Sequence, residues 1–128
     1  MAIPGNVEQW GTYWADLEPT VGSEQGGDRR PVLVVSNNGF NSRFSVVTVL
    51  PLTKATGKTR KVYPFEVLLP AAKAGNPEDN IVMPPQIRTI AKSRLLERVG
   101  LLDDPELRRE VEDRILDHLG ITLEDVND

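Results

Sequence analysis

Residues 10–17 alternate, with Trp10, Thr12, Trp14 and Asp16 on one side of a period-2 pattern and Gly11, Tyr13, Ala15 and Leu17 on the other. Strong β formers in such a pattern predict a first strand. A polar loop with three glycines and Pro19 follows, and residues 30–36 form a second strand. Its Val32-Leu33-Val34-Val35 run is apolar without interruption, as expected of a strand covered on both faces. Residues 45–52 read the same way. Residues 62–69 make a fourth strand, with Pro64 marking an edge or a bulge. Residues 80–83, stopped by Pro84-Pro85, and residues 86–90 are shorter strands, and Asn37-Asn38-Gly39 is a turn signal. Residues 93–98 read as a helical turn closed by Gly100. Beyond it the period changes: Leu107, Val111, Ile115 and Leu119 recur every four residues with Leu116 beside them, after Asp104 as N-cap and Pro105 at the first helical position. This predicts a C-terminal amphipathic helix whose apolar stripe packs on the sheet and whose His118 lies off that stripe. The pattern is that of an α+β fold, a small curled antiparallel sheet plus one helix, in a single domain over residues 1–120 with an acidic tail at 121–128.

Composition narrows the chemistry. The chain has 128 residues, enough for one domain with a real core. It has no cysteine, which excludes disulfides, thiolate zinc sites and cysteine nucleophiles, and a single histidine, which excludes a histidine-cluster metal site. No metal or cofactor is expected. Residues 1–5 lack a basic region followed by an apolar one, and no apolar run nears the ~20 residues of a membrane span, so a soluble, cytoplasmic protein without a membrane partner is expected. The formal charge of −4 is unevenly spread. Residues 103–128 hold ten acidic and three basic residues, net −7, which leaves a body of net +3. That split permits nucleic-acid binding, which needs a basic patch rather than a basic total. A solvated acidic helix on a neutral domain has the same composition.

The densest chemistry sits in residues 22–35, G-S-E-Q-G-G-D-R-R-P-V-L-V-V. Ser23, Glu24 and Gln25 precede Gly26-Gly27, a pair that lets the backbone turn sharply or approach a ligand closely. Arg29 and Arg30 then bring two fixed charges to the mouth of the second strand. A solvated hairpin loop would look alike on composition alone. A second basic segment, K-A-T-G-K-T-R-K at residues 54–61, offers Lys54 and Lys58 to a phosphate backbone or simply to water.

Trp14-Ala15-Asp16-Leu17-Glu18-Pro19-Thr20-Val21-Gly22-Ser23-Glu24-Gln25-Gly26-Gly27, followed by Arg30-Pro31-Val32-Leu33-Val34-Val35, resembles the opening of the MazF/PemK family of toxin endoribonucleases. Tyr63-Pro64-Phe65-Glu66-Val67 and Gln86-Ile87-Arg88-Thr89-Ile90 fall at the spacing of that family, so the resemblance runs over residues 11–120. It implies an SH3-like barrel with a C-terminal helix, a homodimer, and metal-independent, sequence-specific cleavage of single-stranded RNA or mRNA by attack of the 2′-hydroxyl. It also implies an antitoxin partner whose acidic tail blocks the RNA groove. Arg30 and Thr53 match the family's catalytic pair. Glu24 is either the general base, an orienter of the 2′-hydroxyl, or a carboxylate that holds Arg30. Ser23, Gln25, Gln86, Arg88, Lys54 and Lys58 are candidate RNA contacts, and Phe40 and Phe44 either stack a base or pack in the core. Many relatives carry an acidic residue directly before the glutamine of Q-I-R-T, where this chain has Pro85, which favours a mechanism resting on arginine and threonine. A related branch of the fold poisons DNA gyrase without nuclease chemistry, so a gyrase inhibitor and a catalytically dead binding module are the alternatives.

Overall fold

The computed structural model describes residues 6–55 and 61–123. Seven strands and two helices follow in chain order. They are β1 (Gly11–Ala15), β2 (Arg30–Val34), α1 (Asn38–Arg43), β3 (Val46–Lys54), β4 (Val67–Leu69), β5 (Asn80–Val82), β6 (Arg88–Ala91), β7 (Leu95–Leu101) and α2 (Pro105–Leu119). All pairings are antiparallel, and the sheet runs β4-β5-β3-β2-β1-β7, with β6 also paired to β3. No pairing joins β4 to β7, so the sheet curls without closing into the barrel that was expected.

The nine-residue β3 is the spine of this sheet. Residues 49–51 pair with β2, residues 46–49 with β6 and residues 52–54 with β5. Strand alternation then divides the core in two. Val32, Val34, Val47 and Val49 point into one cluster with Tyr13, Ala15 and Leu17, whereas Leu33, Leu50 and Leu52 point into the other with Trp10, Val82 and Val111. Burial on both faces is the physical reason for the unbroken apolar runs in β2 and β3.

Several elements differ from expectation. The turn at residues 37–39 opens a helix instead, because the Asn37 side chain accepts a hydrogen bond from the Phe40 amide at 2.8 Å and caps α1. The Phe40 and Phe44 rings lie against each other, tilted by 31° with centroids 4.9 Å apart, and Phe44 stays exposed rather than entering the core. The fourth strand shrinks to Val67–Leu69, since Pro64 has no amide to donate and the Glu66 amide turns back to the Tyr63 carbonyl at 2.9 Å. Residues 93–98 are largely strand: a 3₁₀ turn at Lys92–Arg94 leads straight into β7, whose pairing with β1 outweighs the local helical tendency. Gln86 ends a 3₁₀ turn begun by the two prolines, so the strand after it starts only at Arg88.

α2 begins and ends where the capping signals place it. Its buried stripe is narrower than the sequence pattern, with Val111 fully buried, Leu107 and Ile115 packed beside it, and Leu119 left half exposed together with Ile121 and Leu123. His118 is exposed, as expected. The residues 124–128 of the acidic tail lie outside the described part. Among the described residues no helix is long and apolar enough to cross a membrane.

One close backbone contact locks the turn at residues 70–76 onto β7. A Cβ on Gly75 would stand 2.5 Å from the Val99 carbonyl oxygen, and one on Gly100 would stand 2.5 Å from that of Ala74. Thr12 donates its hydroxyl to the same Ala74 carbonyl at 2.8 Å.

The Asp104 carboxylate accepts from the amides of Glu106 and Leu107 at 2.9 and 3.1 Å and pairs with Lys73 at 3.1 Å. The Leu107 amide, then the Lys73 ammonium, hold its pKa below the ordinary carboxylate value. A depressed pKa means stability that is present above the unfolded value of ~3.9 and lost as pH falls through the folded value beneath it. Asp104→Ala is therefore expected to lower the melting temperature by several degrees at pH 7, with the difference shrinking below about pH 4. Equal melting of the two proteins at neutral pH would refute the cap.

Candidate active site at the mouth of the second strand

Residues 18–28 are held closed by their own polar groups. The Gly27 amide donates to Glu18 Oε2 at 2.6 Å, the Leu17 amide donates to the Gly27 carbonyl at 2.8 Å, and Arg94 Nη1 donates to the carbonyls of Asp16 and Glu18 at 3.0 and 2.6 Å. Gly27 has φ of +123°, and a Cβ on Gly26 would stand 2.5 Å from both Glu18 Oε2 and Thr20 Oγ1, so the glycine pair is required by this closure. The closed loop aims the Gly26 carbonyl at Arg30.

Arg30 sits half-buried at the start of β2. Its Nε donates to the Gly26 carbonyl at 2.8 Å, and its Nη1 points to the Leu52 carbonyl at 3.3 Å and to Thr53 Oγ1 at 3.5 Å. Asn80 steadies the other side of Thr53 by donating to its carbonyl at 3.2 Å. Burial pulls the Arg30 pKa down from its ordinary value, and among the described residues no carboxylate pairs with it. An uncompensated, partly desolvated guanidinium beside a hydroxyl is an anion site. It faces a cavity of about 360 Å³ whose walls include Trp14, Arg29, Lys54, Asn76 and Glu78.

The other cations of this cavity are neutralised. Lys54 pairs with Glu78 at 3.2 Å. Arg29 makes a two-pronged contact with Glu97 at 2.9 and 3.1 Å while its guanidinium carbon lies 4.7 Å above the Trp14 ring. The hydrogen bond between them raises the Arg29 pKa and lowers that of Glu97.

A second cleft, of about 250 Å³, lies between Glu24 and the Pro85–Arg88 segment. Glu24 does not hold Arg30: its Oε1 accepts from the Val21 amide at 2.9 Å, and the Gly26 carbonyl takes the place that a carboxylate would have had. Gln86 braces the loop, accepting from the Gln25 amide at 3.1 Å and donating to the Ser23 carbonyl at 3.2 Å. Arg88 donates to the Leu17 carbonyl at 3.4 Å. Arg30, Thr53 and Lys54 are thus gathered in one cavity, while Glu24, Gln86 and Arg88 line the next one with Ser23 and Gln25 fixed to it. Lys58 lies outside the described residues. Trp14, Asn80, Glu78 and Glu97 were absent from the sequence-based set. Trp14 was legible as a strand aromatic on the alternate face from Tyr13, but the two glutamates come from distant segments with no local signature.

A sequence model described as the PemK-like, MazF-like toxin of type II toxin–antitoxin systems matches residues 8–119. The endoribonuclease EndoA of Bacillus subtilis strain 168 is 38% identical over 117 residues, which cover 91% of this chain and 94% of that protein. Among solved structures, the crystal structure of MazF from Deinococcus radiodurans aligns with a TM-score of 0.76 at 29% identity, covering 91% of this chain and 98% of that one. An endoribonuclease from a mycobacterial species in complex with its cognate antitoxin shares the fold, with a TM-score of 0.70 at 21% identity over 93% of this chain and 98% of that one.

The brace from Gln86 carries its own test. Gln86→Leu removes the acceptor for the Gln25 amide, a bond worth about 1 kcal/mol. Amide hydrogen exchange at Gln25 is expected to quicken about fivefold with little change in melting temperature. Unchanged exchange there would mean that the loop does not depend on the brace.

Proposed function

We propose an RNA-cleaving activity for this chain, which belongs to the PemK-like, MazF-like toxin family of type II toxin–antitoxin systems. The protein is a toxin that cleaves single-stranded RNA as a metal-independent, sequence-specific endoribonuclease and so inhibits translation and growth. Membership of the family and the 38% identity to an endoribonuclease support the reaction class. The observation that carries the site is the Arg30 guanidinium, without a carboxylate partner among the described residues, pointing at Thr53 Oγ1 at 3.5 Å across the mouth of a cavity.

Such a site can promote transfer within the RNA itself. The 2′-oxygen attacks the adjacent phosphorus and loses its proton, the bond from phosphorus to the 5′-oxygen breaks, and a proton goes to that oxygen. The ends are a 2′,3′-cyclic phosphate, or the 3′-phosphate formed from it by water, and a 5′-hydroxyl. Arg30 donates to the phosphoryl oxygens as negative charge gathers on them, and Thr53 donates its hydroxyl beside it. Burial shifts Arg30 in the direction that eases donation to the leaving oxygen. Glu24, in the adjoining cleft, is assigned to take or orient the 2′-hydroxyl proton, and Ser23, Gln25, Gln86 and Arg88 to hold the bases and sugars that run through that cleft. Lys54 and Lys58 follow the backbone.

The working unit in this reading is a cytoplasmic homodimer, silenced by an antitoxin whose acidic segment competes for the same cations. The antitoxin follows from the type II family and from the complex solved for a protein of the same fold. The gyrase-inhibiting and inert alternatives receive no support from a half-buried arginine beside a hydroxyl.

Cleavage of a long single-stranded RNA in excess EDTA, with chemical analysis of the ends, tests the proposal. Wild type should cut at a short recurring sequence, leaving cyclic or 3′-phosphates. Arg30→Ala should lose about 10²–10³-fold in kcat, and Thr53→Ala about tenfold or more. Glu24→Gln keeps an acceptor for the Val21 amide but cannot take a proton, so it should lose about tenfold or more in kcat. Intact RNA with wild type would sink the activity, and full activity in Arg30→Ala would sink the site.

A further inference from the structure

Of the cavity's cations among the described residues, Arg29 and Lys54 are covered by the protein's own carboxylates, and the Arg29 cover is built with particular geometry. The guanidinium lies over the Trp14 ring at 4.7 Å, which fixes its plane, and both of its terminal nitrogens meet the two oxygens of Glu97 at 2.9 and 3.1 Å. Glu97 comes from β7, on the far side of β1 from Arg29, so the pair reaches across β1 above Trp14. Both side chains are about half exposed, at 49% and 55%. A pair that open to water is screened by solvent and salt, so a competing anion can displace its carboxylate.

We infer that Arg29 is a binding residue for a phosphate flanking the scissile one, and that Glu97 occupies its fork in the free protein as a carboxylate stand-in for that phosphate. This rests on the ribonuclease reading and goes beyond it. Two oxygens of a phosphodiester offer the same two-point acceptor as a carboxylate, so the RNA backbone can replace Glu97 without moving Arg29 off Trp14. Arg29 and Arg30 are consecutive and line one cavity, as successive phosphates of a strand running through it would require. Lys54, which lines the same cavity, is likewise paired with a carboxylate, Glu78 at 3.2 Å. Among the described residues the cavity of the free protein therefore shows Arg30 as its bare cation, and Arg29 and Lys54 become available when a polyanion displaces their carboxylates. Weak, unspecific anions are discouraged, and a chain of phosphates that engages several positions together is favoured.

The test is binding of a mixed-sequence oligonucleotide that is 2′-O-methylated throughout and so cannot be cut, measured across salt concentrations. Arg29→Gln should weaken binding about three- to tenfold and reduce the slope of log K against log salt by about 0.7, one phosphate of a single strand. Glu97→Gln should tighten binding about two- to fivefold, and should have no effect when Arg29→Gln is already present. An unchanged slope in Arg29→Gln, or weaker binding in Glu97→Gln, overturns the inference. So does an Arg29→Gln effect confined to a polyglutamate peptide, which would make the residue a carboxylate receptor. Melting curves of each variant separate these results from unfolding. Cleavage by wild type with an unchanged slope in Arg29→Gln removes this inference alone, whereas no binding by wild type removes it together with the activity.

Discussion

Antiparallel pairing sets Val32 opposite Pro51, Leu33 opposite Leu50 and Val34 opposite Val49, and the same register carried two residues further sets Arg30 opposite Thr53. The meeting of guanidinium and hydroxyl is thus a consequence of how the core packs. A slip of β2 by one residue would turn Leu33 out of one apolar cluster and Val32 and Val34 out of the other, exchanging the faces of all its side chains at once. Two cores, one on each face, therefore guard a single polar contact at the edge. The loop at residues 18–28 adds the remaining constraint, since the carbonyl that receives Arg30 Nε is delivered by a turn only glycine can make there.

The acidic total and the basic site are reconciled by position. Glu78 and Glu97 sit next to cations of the cavity, whereas much of the remaining negative charge lies on α2 and the residues after it. Arg30 differs from Arg29 and Lys54 in kind. It is half-buried and bound to neutral carbonyls, with no carboxylate partner among the described residues. The other two are exposed and paired with carboxylates.

The architecture was legible wherever a segment's own pattern decides its structure. The apolar runs of β2 and β3, the alternation of β1, and the Asp104-Pro105 start and Gly120 stop of α2 all reappear in the structure. Errors arose where a partner decides. Residues 93–98 read as a helical turn, yet Leu95–Leu101 become a strand because β1 offers them an edge. Residues 62–66 are β-prone yet fold into a turn around the Glu66 side chain and a proline. At the site, Arg30 and Thr53 were found through the resemblance and the strand ends, while the role of Gln86 as a brace depends on a hydrogen bond across 61 residues that no local pattern encodes. Glu97 and Glu78 were invisible for the same reason: they look like ordinary surface charges until the sheet brings them to Arg29 and Lys54.

The contact between Gly75 and Gly100 has a further consequence. It holds the turn that places Asn76, Pro77 and Glu78 along one wall of the cavity, and it consists of backbone packed on backbone. Replacing side chains by alanine around the site would leave that wall out of the map, because at these two positions alanine is the large residue. Part of the cavity's shape is therefore defined by atoms that are missing from the side chains.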